Sequence, residues 1–148
     1  MMLDSNRISV ILQSLESTDE QFKASIDKII KIGLEIANYS EEFKDEMKCY
    51  DDFLCHVYVK DIDFNLWIIN NQGRLSYNTN YYENHSNQKR IIHFIMRKEI
   101  LKKIFHQKMY ASEAYMKGFI EIEGTLADAM MIKNVLRYFF KLYRNLTT

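Results

Sequence analysis

From Phe22 onward, apolar residues recur every three or four positions through Ile26, Ile29, Ile30, Gly33, Ile36 and Ala37, the spacing of one helix face. Ser17 or Thr18, followed by Asp19, Glu20 and Gln21, supplies the capping oxygen and acidic first turn that open a helix. The pattern predicts a helix from there to Ala37 and a shorter one over residues 41–50. At Leu54 the period drops to two. Residues 54–59 and 64–69 are short runs rich in aromatic and β-branched side chains, which suit strands, and Asp61-Ile62-Asp63 turns between them. Asn70-Asn71-Gln72-Gly73 makes a second turn. A third strand follows from Arg74 to Tyr81, with Leu75, Tyr77, Thr79 and Tyr81 on one face, and the polar stretch Tyr82 to Gln88 reads as a loop. Arg90 to Met96 is a fourth strand. Residues 97–106 return to the helical period, with Ile100, Leu101, Ile104 and Phe105 opposite Arg97, Lys98, Lys102 and Lys103. A helical turn over 112–117, a fifth strand from Phe119 to Glu123 and a long helix capped by Thr125 complete the pattern. These elements predict an α+β fold: a five-stranded, mainly antiparallel sheet with helices on one face. Residues 1–53 read as an N-terminal helical extension packed on a domain formed by residues 54–148.

The last helix carries more apolar surface than one face requires. Its polar positions Lys133, Arg137, Lys141 and Arg144 form a single narrow stripe, and most of the remaining circumference to about Tyr143 is apolar. A helix lying on a sheet needs an apolar stripe only somewhat over 100° wide. The surplus must be covered by the N-terminal helices, by a second subunit (a homodimer) or by a bound apolar ligand. Met130 and Met131 fit any of the three, because methionine suits adaptable apolar surfaces.

Composition narrows the setting. A chain of 148 residues supports one core with room for a modest cavity. The net charge is zero, which gives no global attraction to nucleic acid. The distribution is uneven: residues 1–83 hold 15 acids against 8 bases, and residues 84–148 hold 5 acids against 12 bases. Cys49 and Cys55 are too few for a disulfide framework or a zinc site, so they are expected as free thiols in a reducing compartment. The start of the chain lacks a basic region followed by an apolar run, and no apolar stretch reaches the roughly 18 residues of a membrane span. A cytoplasmic location is expected.

The stretch Ala114-Tyr-Met-Lys-Gly118-Phe-Ile-Glu-Ile-Glu-Gly124-Thr-Leu-Ala-Asp-Ala129-Met-Met-Ile resembles the signature of sterol carrier protein type 2 domains. In that family an alanine precedes a glycine by four, an alternating strand runs to a second glycine, and a helix opens with a small-apolar run. The strand and helix over 91–106 and the strand pair over 64–81 are similar too, so the likeness covers about residues 54–143. Thr125 departs from the acidic or amide residue usual after the second glycine, but it caps a helix nearly as well. The resemblance implies a hydrophobic tunnel between the sheet and the C-terminal helices, binding sterols, fatty acids, acyl-CoAs or phospholipids. The residues expected to line it are Phe94, Leu101, Ile104, Phe105, Met109, Tyr115, Met116, Met130, Met131, Val135, Leu136 and Phe139. The first 50 residues decide whether such a tunnel is open or plugged.

Other chemistry finds little support. There is no phosphate-cradling glycine loop, nucleophile elbow or His-Glu-x-x-His motif. His56, His85, His93 and His106 are scattered in sequence, and Asp61-x-Asp63-x-Asn65 lacks the later glycine and glutamate of a calcium loop. No catalytic set, metal site or cofactor is expected. Arg97, Lys98, Lys102 and Lys103 give one helix a basic face, suited to transient contact with an anionic membrane surface or to an anionic ligand head; a solvated helix face is the plainer alternative. The reading is non-catalytic lipid binding or transfer. The rival is an interaction or dimerisation module, or an accessory subunit of a lipid-pathway complex, with the tunnel filled.

Overall fold

The computed structural model describes residues 18–79 and 90–147, the last six of these by backbone alone. Helix α1 (Asp19–Tyr39) opens on Thr18, whose hydroxyl accepts from Gln21 N at 3.3 Å. Ser40 then ends α1 and caps α2 (Glu41–Lys48), accepting from Phe43 N at 3.1 Å. One serine therefore sets the corner between the two helices. Next come β1 (Phe53–Val59), β2 (Phe64–Asn71), β3 (Arg74–Asn78) and β4 (Ile91–Met96). The chain finishes with α3 (Lys98–Phe105), α4 (Ala111–Met116), β5 (Glu121–Glu123) and α5 (Leu126–Thr147).

The five strands form one sheet in the order β3-β2-β1-β4-β5. The pairings β1–β2, β2–β3 and β4–β5 are antiparallel, and only the central pair β1–β4 is parallel, so the α+β expectation holds. Side chains alternate across the sheet. The face carrying Phe53, Cys55, Val57 and Val59 of β1, Leu66 of β2 and Ile92 of β4 joins the apolar faces of α1 and α2 in one core. Phe22, Ile26, Phe43 and Met47 from those two helices are buried in it, so the helical segment shares the core of the sheet.

Several boundaries shift for identifiable reasons. The turn between β2 and β3 is Gln72-Gly73, at φ 53° and 88°, a tighter hairpin than the four residues expected. Asn70 thereby becomes part of β2 and is fully buried, its amide oxygen accepting from Gly73 N at 3.2 Å. The fifth strand is shorter than expected. Phe119 N donates to Ala114 O at 2.8 Å and Gly118 N to Tyr115 O at 3.0 Å, a Schellman closure around Gly118 at φ 79°. That closure assigns Phe119 to the helix end rather than to the strand. Thr125 caps α5 as expected, accepting from Asp128 N at 3.1 Å. The expected end of the third strand at Tyr81 and the loop over 82–88 lie outside the described residues.

The free edge of β3 is held from above. The Asn38 side chain on α1 donates to Leu75 O at 2.9 Å and accepts from Leu75 N at 3.1 Å. A side-chain amide thus satisfies both backbone groups that an additional strand would otherwise pair.

Candidate functional site

Between the sheet and the helices lies a cavity of about 570 Å³. Its floor is the inner sheet face, including Phe53, Cys55 and Val57 of β1, Leu66 and Ile68 of β2, and Phe94 and Met96 of β4. Ile30 and Leu34 of α1 and Phe43 of α2 form one wall, and Leu101, Ile104 and Phe105 of α3 another. Helix α5 supplies the longest wall, through Leu126, Ala129, Met130, Val135, Leu136 and Phe139 among others. The volume falls within the ~300–1,000 Å³ typical of small-molecule sites. Its lining is apolar apart from Ser112, Lys133, the Tyr115 hydroxyl and the Cys55 thiol.

The surplus apolar surface of α5 thus has two covers. On one side α1 and α2 pack against it: Gly33 meets the Phe139 ring, and the Phe43 and Tyr138 rings lie 5.6 Å apart. Tyr138 also donates its hydroxyl to Glu42 at 2.7 Å, which raises the phenol to about 12. On the other side α5 faces the cavity. At one rim apolar side chains reach solvent, with Met116 82% and Leu126 67% exposed.

Most of the residues expected to line a tunnel do line this cavity. Met109 and Met131 do not. Met131 is buried in the core around the next part of the α5 circumference, and Met109 packs against that core just beyond α3. Apart from Phe94, the strand residues and those of α1 and α2 were not singled out in the sequence; Cys55 and Val57 of β1 and Leu66 and Ile68 of β2 join the lining through the alternation of side chains across the sheet. Lys133 is a correction of another kind. Expected on one polar stripe with Arg137 and Lys141, it is half-buried and borders the cavity, whereas Arg137 and Lys141 are exposed.

None of the four basic residues of α3 and its N-cap lines the cavity. Lys98 pairs with Asp19 at 2.9 Å and lies 5.4 Å from the centre of the Phe22 ring, tying α3 to the start of α1. Lys103 sits 3.9 Å from Glu99, Arg97 is exposed and Lys102 is half-buried. The Cys55 thiol, fully buried in the floor, is pushed up to about 12 by desolvation. Cys49 is an exposed free thiol.

The opposite sheet face brings together residues far apart in sequence. The parallel register of β1 and β4 sets His56 beside His93, with their Nδ1 atoms 2.8 Å apart. His56 Nε2 lies 2.7 Å from Asn65 Oδ1, and its ring stacks on Trp67 with centroids 3.9 Å apart. With Nε2–H of His56 assigned as the donor to Asn65, Nδ1 of His56 accepts from Nδ1–H of His93. Among the described residues, no group of three or more His, Cys, Asp or Glu is placed to hold a metal ion. Asp61 and Asp63 do not converge on a cation site: Asp61 accepts from Lys98 N at 2.8 Å and Asp63 from the Tyr58 hydroxyl at 2.8 Å.

An inner sheet face, covering helices and an apolar cavity between them make up the fold. The model of the SCP-2 sterol transfer family matches residues 31–137, from the middle of α1 to well into α5. The chain belongs to that family. No curated protein sequence matches it significantly. Among solved structures, the apo form of sterol carrier protein 2 from Yarrowia lipolytica is 13% identical, with a TM-score of 0.56, over 82% of this chain and 94% of that one. The ubiquinone synthesis protein UbiJ-SCP2 is 12% identical, with a TM-score of 0.57, over 80% of this chain and 95% of that one. A variant of the sec-alkyl sulfatase PisA1 is 16% identical over 87% of this chain, with a TM-score of 0.53, but the matched part is only 17% of the sulfatase chain. At these identities the likeness is one of fold. The family match begins at residue 31, so α2 and half of α1 lie within the SCP-2 region.

Proposed function

We propose that this SCP-2 family chain binds and carries a lipid-like molecule in the cavity between sheet and helices, without changing it covalently. The observation that carries the reading is the 570 Å³ space with an almost wholly apolar lining, bordered rather than filled by α1 and α2. Each methylene transferred from water into such a lining contributes about 0.8 kcal/mol. A sterol, fatty acid, acyl-CoA or phospholipid tail meets that chemistry, and an apolar wall selects among them weakly. The exposed and buried free thiols, Cys49 and Cys55, favour a reducing, cytoplasmic setting. No helix among the described residues is long and apolar enough to cross a membrane.

Displacement of the neutral dye Nile red by single-chain lipids tests the reading, with Ala129→Trp as the control that fills the cavity from α5. Displacement at micromolar lipid, abolished in the tryptophan variant while the unfolding midpoint is retained, is the expected result. No dye uptake and no lipid in native mass spectra of the purified chain would refute it.

The exposed apolar rim favours a second reading, in which the same face docks on a partner. Tyr110 is 79% exposed and stands near Met116 in sequence, with Leu126 further along the rim. A homodimer or an accessory-subunit role would bury these side chains. Sedimentation of wild type against Met116→Ser/Leu126→Ser separates the two: a self-association lost in the double variant supports docking, and a monomer in both favours carriage alone.

A further inference from the structure

The α5 wall of the cavity is broken at one position. Lys133 lies a turn from Ala129 and Met130 on one side and from Leu136 on the other, and all four border the cavity. Among the described residues it is the only charged one in the lining. Its side chain is half-buried, and among the described residues no hydrogen bond or ion pair is formed by it. The helix offers no counter-charge, because the positions three and four residues away are Ala129, Met130, Leu136 and Arg137. A lysine at the edge of an apolar cavity with no counter-charge of its own is open to pairing with an anionic group. The other polar lining groups with spare hydrogen-bonding capacity, the Ser112 and Tyr115 hydroxyls, belong to α4.

We infer that Lys133 is the specificity-determining residue of the cavity, pairing with the anionic head of an amphiphile whose tail occupies the apolar remainder. This rests on the carriage reading above and sharpens it: the preferred ligand bears a carboxylate or phosphate at the end of an aliphatic chain, ahead of a neutral alcohol such as a sterol. The basic face of α3 is not the receptor for that head, since none of its cations borders the cavity.

The experiment compares hexadecanoic acid with hexadecan-1-ol as competitors for Nile red at pH 8, where the acid is ionised. A hydrogen bond between charged groups in a partly wetted site favours the acid by roughly tenfold. Lys133→Met keeps the length and apolar stem, so it should lower the affinity for the acid about tenfold, leave the alcohol unchanged and bring the ratio to about one. Lys133→Arg should keep most of the preference. Equal affinities in the wild type, or an undiminished acid preference in Lys133→Met with an unchanged unfolding midpoint, would overturn the assignment while leaving carriage intact. If neither competitor displaces the dye from the wild type, the carriage reading itself falls and takes this inference with it.

Discussion

Replacing Gly33 by alanine puts the packing of α1 on α5 and the emptiness of the cavity to the same test. Gly33 is buried in the middle of α1, and a methyl group there would overlap the Phe139 ring. Two terms oppose each other. Alanine in a helix interior gains about 0.8–1.0 kcal/mol over glycine. An extra methyl in a filled core costs about 1–3 kcal/mol, because neighbours are forced from their rotamers. Phe139, however, also borders the cavity, so its ring has space to move into. Displacing the ring by about 30° costs only ~0.5–1.5 kcal/mol, and the terms nearly cancel. Gly33→Ala should therefore unfold in urea with an unchanged slope and a stability within about 1 kcal/mol of wild type. The compensation appears in binding, because the ring now occupies space a ligand tail would use. Each methylene excluded weakens a long-chain alcohol by about 0.8 kcal/mol, roughly fourfold in Kd, so the preferred chain length should shorten. A loss of more than about 3 kcal/mol with unaltered Nile red binding would refute the reasoning, since it would mean that the ring has nowhere to go.

Other consequences follow from single contacts. Asn38→Ala removes both side-chain bonds to the backbone of Leu75, and leaving those edge groups unmatched should cost about 1–3 kcal/mol in urea unfolding; an unchanged midpoint would show that water replaces them. Cys55 retains its proton in the folded state to about 12, against 9.0 for the free thiol, so the native state binds that proton more tightly than the unfolded chain does. Its contribution is therefore complete below pH 9 and is lost as pH rises towards 12, at about 1.4 kcal/mol per pH unit within that window. Cys55→Ala should flatten the fall in urea midpoint between pH 8 and pH 10, and parallel slopes in the two proteins would sink the assignment. In the native wild type, an aromatic disulfide reagent should modify Cys49 at once and Cys55 only on unfolding, because Cys49 is exposed and Cys55 is buried; equal rates at both thiols would contradict the burial.

Local chemistry determined much of this protein. The capping oxygens of Thr18 and Thr125, the switch from helical to two-residue period at Leu54 and the glycines flanking residues 119–123 are decided within a few neighbours. They are legible in sequence, and with them the fold and the family. The lining from α3, α4 and α5 was expected from the resemblance to the family, and for α5 the apolar surplus already required that something cover it. What covers it was not legible. Whether Phe139 abuts Gly33, whether Met131 turns to the core and Lys133 to the cavity, and how β1 lies beside β4 depend on helix crossings and strand register. Those are fixed by contacts between segments tens of residues apart. The parallel pairing of β1 with β4 brought His56 to His93, and the placement of α1 and α2 as a wall left the cavity standing. Side-chain period fixes which residues share a face; only the assembled layers decide what that face encloses.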